Sequence, residues 1–430
     1  MAFLRSLFAG VSALRNHQTM MDVIGNNIAN VNTTGFKAGR ATFSELYAQT
    51  LRGASRPTSL TGGTNPMQDG LGMSINTLDT QFMQGNVEQT NGDYDLAISG
   101  PGFFIVNAGG QSMYTRDGKF TLDADGSIVT GGGARLQGKM ADANGVIPSG
   151  TTLEDIVING DIKSPARATT YVNYSGNLDS SADIYSLGPP ETGGFTKTTA
   201  SVYDSLGNRI ALELKFMKTA ANTWDWTASV PDPAPATTST VVGNGTLTFN
   251  SGDGTLQSGS PSPITLTPTT GADPLTLDLR FGTPSATAPG VFSGITQTSG
   301  DSSVTPRDYD GYTSGTLKNV SVDAMGKVSG TFTNSTVQVL AQVMLAEFNN
   351  SGGLLRMGNN MFTLSGNSGT PAIVEPGEAS ELSPGALEQS NVDLADEFTK
   401  MITAQRGFQA SARVITTSDE FLQEVVNLKR

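Results

Sequence analysis

One histidine and no cysteine set the chemical limits of this 430-residue sequence. His17 alone cannot furnish a nitrogen- or sulfur-ligated metal site, and it lacks the setting of a Ser-His-Asp arrangement. It reads as a helix-surface or packing residue. The missing thiols exclude disulfides and cysteine nucleophiles as well. The phrase Asp123-Ala-Asp125-Gly126 comes nearest to a calcium loop. It lacks the third acidic position and the closing glutamate, so a hairpin turn is expected there. Gly131-Gly-Gly133 opens no helix, and no Gly-Lys-Ser/Thr occurs, which leaves no phosphate-binding loop. Carboxylates are scattered through turns and strands, with no pair singled out for acid-base work. The expectation is a chain with no catalytic residue, no metal and no cofactor, hence not an enzyme.

The elements that carry these residues are read from composition and periodicity. Aromatic residues make up 7% and charged residues 15%, while Gly (51) and Pro (20) are abundant. Such text describes many short strands joined by tight turns, and the length suits about two to four domains. A formal net charge of −13 argues against nucleic acid as a partner. No run of eighteen apolar residues is present, so no membrane-inserted helix is expected. Arg5, Ser6, Ser12 and Arg15 interrupt the stretch a secretory signal would need. The chain is therefore expected to stay in the cytoplasm, or to leave the cell by a route that cleaves nothing.

Both ends differ from the middle. Phe3, Leu4, Leu7, Phe8, Val11, Leu14, Met21, Ile24, Ile28 and Val31 recur mostly every three or four residues, the pattern of an amphipathic helix. That helix should stop between Asn30 and Gly35, where Asn, Thr and Gly favour a turn. At the other end Leu394, Phe398, Met401, Gln405, Phe408, Ala412, Ile415, Asp419, Leu422 and Val426 alternate in steps of four and three, a heptad seam. Ser390 followed by Asp393 supplies a capping box at its start. No comparable helix lies between them, so the two ends are expected to bundle with each other and with copies of themselves. The predicted assembly interface comprises Leu4, Leu7, Val11, Leu14, Met21, Ile24, Ile28, Val31, Leu394, Phe398, Met401, Phe408, Ile415, Leu422 and Val426. Isolated helices of this length are marginal in water, so both ends are expected to order only on assembly.

The intervening text is β. Lys119–Leu122, the Asp123–Gly126 turn and Ser127–Val129 read as a hairpin, and Val320–Val328 repeats the phrase. Alternation in Ile210-Ala-Leu212-Glu-Leu214-Lys-Phe216 marks a strand, and Pro231, Pro233 and Pro235 punctuate the chain further along. The predicted fold class is multidomain: terminal α-helices forming a coiled coil plus mainly-β central domains, one inserted in another. Residues 1–35 and 387–430 form the inner tube domain, and 36–70 an extended connector. Residues 71–144 and 311–386 form one β domain, and 145–310 an inserted outer β domain.

Specific motifs sit at both ends. The stretch Gly25-Asn-Asn-Ile-Ala-Asn-Val-Asn-Thr-Thr-Gly-Phe-Lys37 resembles the N-terminal signature of the bacterial flagellar axial proteins, those of rod, hook and hook-associated segments. Leu387-Glu-Gln-Ser-Asn-Val-Asp-Leu-Ala395 and Gln405-Arg-Gly-Phe408 resemble the C-terminal one. Within that family, Ser201–Asn208, Gly176–Ser180 and Leu317–Phe348 resemble the hook branch rather than the rod branch. The resemblance implies a structural subunit that polymerises into a curved tube, a universal joint passing motor torque from rod to filament. It implies export without a cleaved signal and an extracellular place in the flagellar hook. The implied partners are copies of itself, the distal rod protein and hook-associated junction protein at the two ends, and the hook cap and export apparatus during assembly. The alternatives are another axial component, such as a distal rod or hook-associated protein, and, further off, a surface or adhesin protein.

Overall fold

A computed structural model describes residues 2–58, 62–188, 190–231, 239–284, 294–377 and 379–427, with residues 2–4 described by their backbone alone. Helix α1 spans Ala2–Ala29 and helix α2 spans Leu394–Asn427; the region between is mainly strand. The turn after α1 is closed by Asn30, whose N–H reaches Asn26 O (3.2 Å) and whose Nδ2 donates to the same carbonyl (2.9 Å). Gly35 then takes a left-handed φ of 65°. Its missing side chain is required, because a Cβ there would stand 2.6 Å from the Asp117 amide. At the start of α2 the cap differs from the expected box. Asp393 itself accepts the amides of Ala395 (2.8 Å) and Asp396 (3.3 Å), while Ser390 accepts that of Val392 (3.4 Å). A carboxylate at the N-cap serves the first turn's free amides and their partial positive charge together.

The chain divides into two compact units: residues 1–159, 320–330 and 338–430, and residues 160–319 and 331–337. The second is thus inserted in the first. In the first unit, strand Phe103–Ala108 pairs with Gln111–Thr115 on one side and with Arg135–Met140 and Leu345–Glu347 on the other. Phe103, Ile105, Tyr114, Met344, Ala346 and Phe362 cluster in its core, with Phe82 and Phe348 packed edge-on to Phe103. The Asp123–Gly126 and Asp323–Gly326 phrases both form tight turns. In each, the glycine amide returns to the aspartate carbonyl (2.9 and 3.0 Å) at φ 79° and 73°. The Asp123 carboxylate spends itself on the Ala124 amide (2.8 Å), as a turn residue does.

Residues 36–70 are more than a connector. Strand Gly39–Glu45 pairs antiparallel with Met73–Thr80, and Ala48–Arg52 pairs with Met67–Gly70, making a two-stranded ribbon. Its cross-strand pairs include two of hydroxyls, Thr42 with Thr77 (2.6 Å) and Ser44 with Ser74 (3.1 Å), and the ion pair of Arg40 with Asp79 (3.1 Å).

In the second unit, strands Phe195–Tyr203, Arg209–Ala220, Thr223–Pro231, Ser239–Phe249 and Leu256–Ser258 form an antiparallel meander. Pro231 closes one of these strands, and Pro233 and Pro235 lie outside the described residues. A second sheet is built around Tyr171–Asp179, which runs parallel to Leu275–Arg280 and Ile295–Thr298 and antiparallel to Thr305–Tyr309. Both sheets contribute to one core, with Leu212, Leu214, Phe216, Trp224 and Trp226 from the meander and Tyr174, Leu277, Leu279 and Phe281 from the other. The unit begins at Gly160 rather than at 145, because residues 154–155 still pair with Arg135–Met140 in the first unit.

Candidate assembly interface

The terminal helices lie antiparallel, as their contacts show in order. Ser6 Oγ meets Ser418 Oγ (3.3 Å), Gly10 faces Ser411 and Ile415, His17 faces Gly407, and Asn27 Nδ2 donates to Glu397 Oε2 (3.1 Å). Two glycines let the helices approach. A Cβ on Gly10 would lie 3.1 Å from Ile415 Cγ1, and one on Gly407 would lie 2.6 Å from the His17 ring. His17 is therefore a packing residue, tilted against Phe43 at 6.5 Å. The ribbon supplies more cover for α1. Asn16 Nδ2 donates to Met73 O (2.7 Å), and the Asn27 side chain both donates to Gly39 O and accepts its amide (2.8 Å each).

On α2 the buried or half-buried positions include Glu397, Met401, Ala404, Phe408, Ser411, Ile415, Ser418 and Leu422, with Lys400, Gly407 and Ala412 half-buried beside them. The steps of four and three are kept, but the rungs between Met401, Phe408, Ile415 and Leu422 differ from the sequence reading. Ala404 and Ser418 face inward in place of Gln405 and Asp419, and Glu397 in place of Phe398, while Ser411 and Ala412 are both half-buried. Small side chains permit the close approach that apolar counting alone does not register.

The remaining predicted interface residues divide by exposure. Ile24 is buried, and Leu7, Leu14, Met21, Ile28 and Val31 are half-buried. Val11, Leu394, Phe398 and Val426 are exposed, and the side chain of Leu4 lies outside the described residues. Ile402, Val414, Phe421 and Val425 of α2 and Phe8 of α1 are exposed too. At roughly 100° per residue, Leu394, Phe398 and Ile402 fall on one flank of the α2 seam. Val414, Phe421 and Val425 fall on the opposite flank. The helix pair thus leaves two apolar stripes largely exposed, one toward each end of α2 and on different sides.

The roots of both helices meet in a buried ionic cluster that periodicity could not indicate. Lys37, just beyond α1, places Nζ 2.6 Å from Glu388 Oε1 and donates to Met83 O (2.8 Å). Glu388, just before α2, also accepts the Gly85 amide on Oε1 (2.8 Å) and Arg116 Nη1 on Oε2 (3.4 Å). Arg116 Nη2 donates to Gly100 O (2.6 Å), and its guanidinium lies 5.0 Å from the centre of the Phe103 ring. Backbone ties reinforce the cluster. The Gly35 amide reaches Glu388 O (2.8 Å), and Asn391 Oδ1 accepts the Ala38 amide (2.8 Å) while its Nδ2 donates to Gln81 O and Met83 O. Arg356 Nη2 donates to the Lys37 carbonyl, and Asn360 Nδ2 to that of Thr34 (2.8 Å). Burial pulls Lys37 and Arg116 below their ordinary ranges, with the Glu388 charge opposing in both cases. Burial likewise raises Asp117 against hydrogen bonds from Thr34 and the Lys119 amide. The only sequence signal for this cluster was that Lys37 and Glu388 lie inside the two end motifs.

A helix pair with exposed apolar flanks, rooted in a charged joint and with no metal-ligating cluster among the described residues, has the build of a structural subunit. Family comparisons agree with that class along the length of the chain. Residues 7–37 match the model "Flagella basal body rod protein", 97–172 "Flagellar hook protein FlgE/F/G D1 domain", 177–312 "Flagellar basal body protein FlaE D2 domain", and 383–428 "Flagellar basal body rod FlgEFG protein C-terminal". The flagellar hook protein FlgE of Borreliella burgdorferi is 40% identical over 99% of this chain and 100% of its own length. That of Treponema pallidum is 38% identical with the same coverage, and that of Salmonella typhimurium 34%. This chain belongs to the flagellar hook protein family, and it is a structural subunit of the flagellar hook.

Proposed function

We propose that the two exposed apolar stripes of α2 are where neighbouring copies attach, and that repetition of this contact builds the wall of the hook tube. The supporting observation is that Leu394, Phe398 and Ile402 lie on one flank of the seam and Val414, Phe421 and Val425 on the other. Two different patches, each meeting a different neighbour, make a head-to-tail contact that repeats without closing, which is what a helical polymer needs. Exposed Phe8 and Val11 extend the same surface onto α1. The predicted interface residues then serve two purposes. Met401, Phe408, Ile415 and Leu422 hold the pair together, and Leu394, Phe398 and Val426 join the outward surface. The role involves no catalytic step. Distal rod and hook-associated junction proteins meet the ends of the tube, and a cap and the export apparatus deliver and place each copy.

Phe398→Asp and Val425→Asp test this reading, since the two side chains are 50% and 51% exposed in the single chain. Each variant is expected to melt as the wild type does, yet to form no tubes in electron micrographs under polymerising conditions. A lost apolar contact costs about 1.5–3 kcal/mol per interface, and an unpaired carboxylate in its place costs more. Normal tubes from both variants would sink the proposal.

A further inference from the structure

The ionic cluster joins three separate parts of the chain: Lys37 at the root of α1, Glu388 at the root of α2, and Arg116 in the β body. Their side chains are buried to 0%, 1% and 1% exposure. Two cations around one carboxylate make a poor stabiliser, because each charge loses its water and the pairing is unequal. Apolar side chains of similar volume would fill the space without that loss. They would not fix direction, whereas the cluster does. Lys37 is held between a carboxylate and the Met83 carbonyl, and Arg116 between the same carboxylate, the Gly100 carbonyl and the face of Phe103. Any rotation of one root relative to the other breaks several of these contacts at once.

We propose that Lys37, Glu388 and Arg116 are positioning residues that fix the angle at which both helices leave the β body, so that every copy presents its helix pair to the polymer in one orientation. This rests on the polymer reading above. The test replaces the cluster by apolar residues (Lys37→Met, Arg116→Met and Glu388→Leu together) and uses Glu388→Gln as a milder second variant. Full-length proteins are compared by thermal melting and by electron microscopy of the tubes. The triple variant is expected to melt at or above the wild-type temperature. Its tubes should be absent or should show at least a twofold wider spread of curvature and subunit spacing. Glu388→Gln should widen the spread in the same direction while its monomer stays folded, which decides the matter if the triple variant fails to fold. Tubes from a folded variant with wild-type uniformity overturn the proposal. Wild-type protein that forms no tubes overturns the polymer reading together with it, so the two failures are told apart by the wild-type control.

Discussion

Gly407 and Glu388 show how much single positions decide in this protein. Gly407 lies where any Cβ would enter the His17 ring, at 2.6 Å. Gly407→Val must therefore push the helices apart, and overpacking of this sort costs about 1–3 kcal/mol. The same argument separates two kinds of charge substitution on α2. Phe408→Asp strikes a half-buried seam position and should loosen the single chain itself, whereas Phe398→Asp should act only between copies. At Glu388 the sign depends on how many partners change. Lys37→Met alone leaves the carboxylate with Arg116 at 3.4 Å and one backbone amide, that of Gly85. Removing one member of a buried ion pair costs about 3–5 kcal/mol. The expected outcome is a urea midpoint well below wild type for Lys37→Met, with the midpoint regained in the triple apolar variant. Equal midpoints for the single variant and the wild type would show that the pair carries no such weight.

Among the elements, those with one uninterrupted period were legible in the sequence. Both terminal helices repeat every three or four residues, and Leu212, Leu214 and Phe216 alternate into the core of the second unit. The ribbon at 39–80 was not legible, since its outer strands Ala48–Arg52 and Met67–Gly70 bury neither face and so carry no alternation. Nor was the parallel pairing of Tyr171–Asp179 with strands about a hundred residues further on, because nothing local encodes a long-range partner. The α2 register was set one residue astray at the rungs of Glu397, Ala404 and Ser418, because Leu394 and Phe398 are apolar whereas the inward Ala404 and Ser418 are merely small. Expectation also placed helix formation wholly in the polymer, but α1 finds cover within the single chain from α2 and the ribbon. Amide exchange should reflect that division. Residues 16–28, tied to the ribbon through Asn16 and Asn27, should be protected in the monomer. Residues 419–427, mostly exposed, should become protected only in tubes. Full protection of 419–427 in the monomer would contradict coupled ordering at that end.

Over the whole molecule, the two units are expected to differ in their response to acid. In the second unit burial alone would raise Asp204 and Asp310, but hydrogen bonds outweigh it and hold both low: from Asn208 and Thr270 to Asp204, and from Thr170 and Tyr171 to Asp310. Ser181 holds Asp179 low as well. A carboxylate depressed on folding contributes stability above its unfolded pKa of about 4, and that contribution is lost as pH falls through the folded value. In the first unit, among the described residues, Asp79 is held low and Asp117 is raised, and the raised group favours folding as it protonates. The second unit should therefore unfold first on acidification. Both tryptophans of the chain, Trp224 and Trp226, lie in its core, so their emission should shift to the red below about pH 4 while helical circular dichroism persists. Simultaneous loss of both signals would refute the order. The antiparallel arrangement of α1 and α2 bears on how copies stack. Each helix is a dipole of roughly half a charge at either end, and the positive end of α1 lies beside the negative end of α2, near Ser6 and Ser418. The two fields largely cancel along the pair, so successive copies can be laid end over end without an electrostatic penalty that grows with the length of the tube.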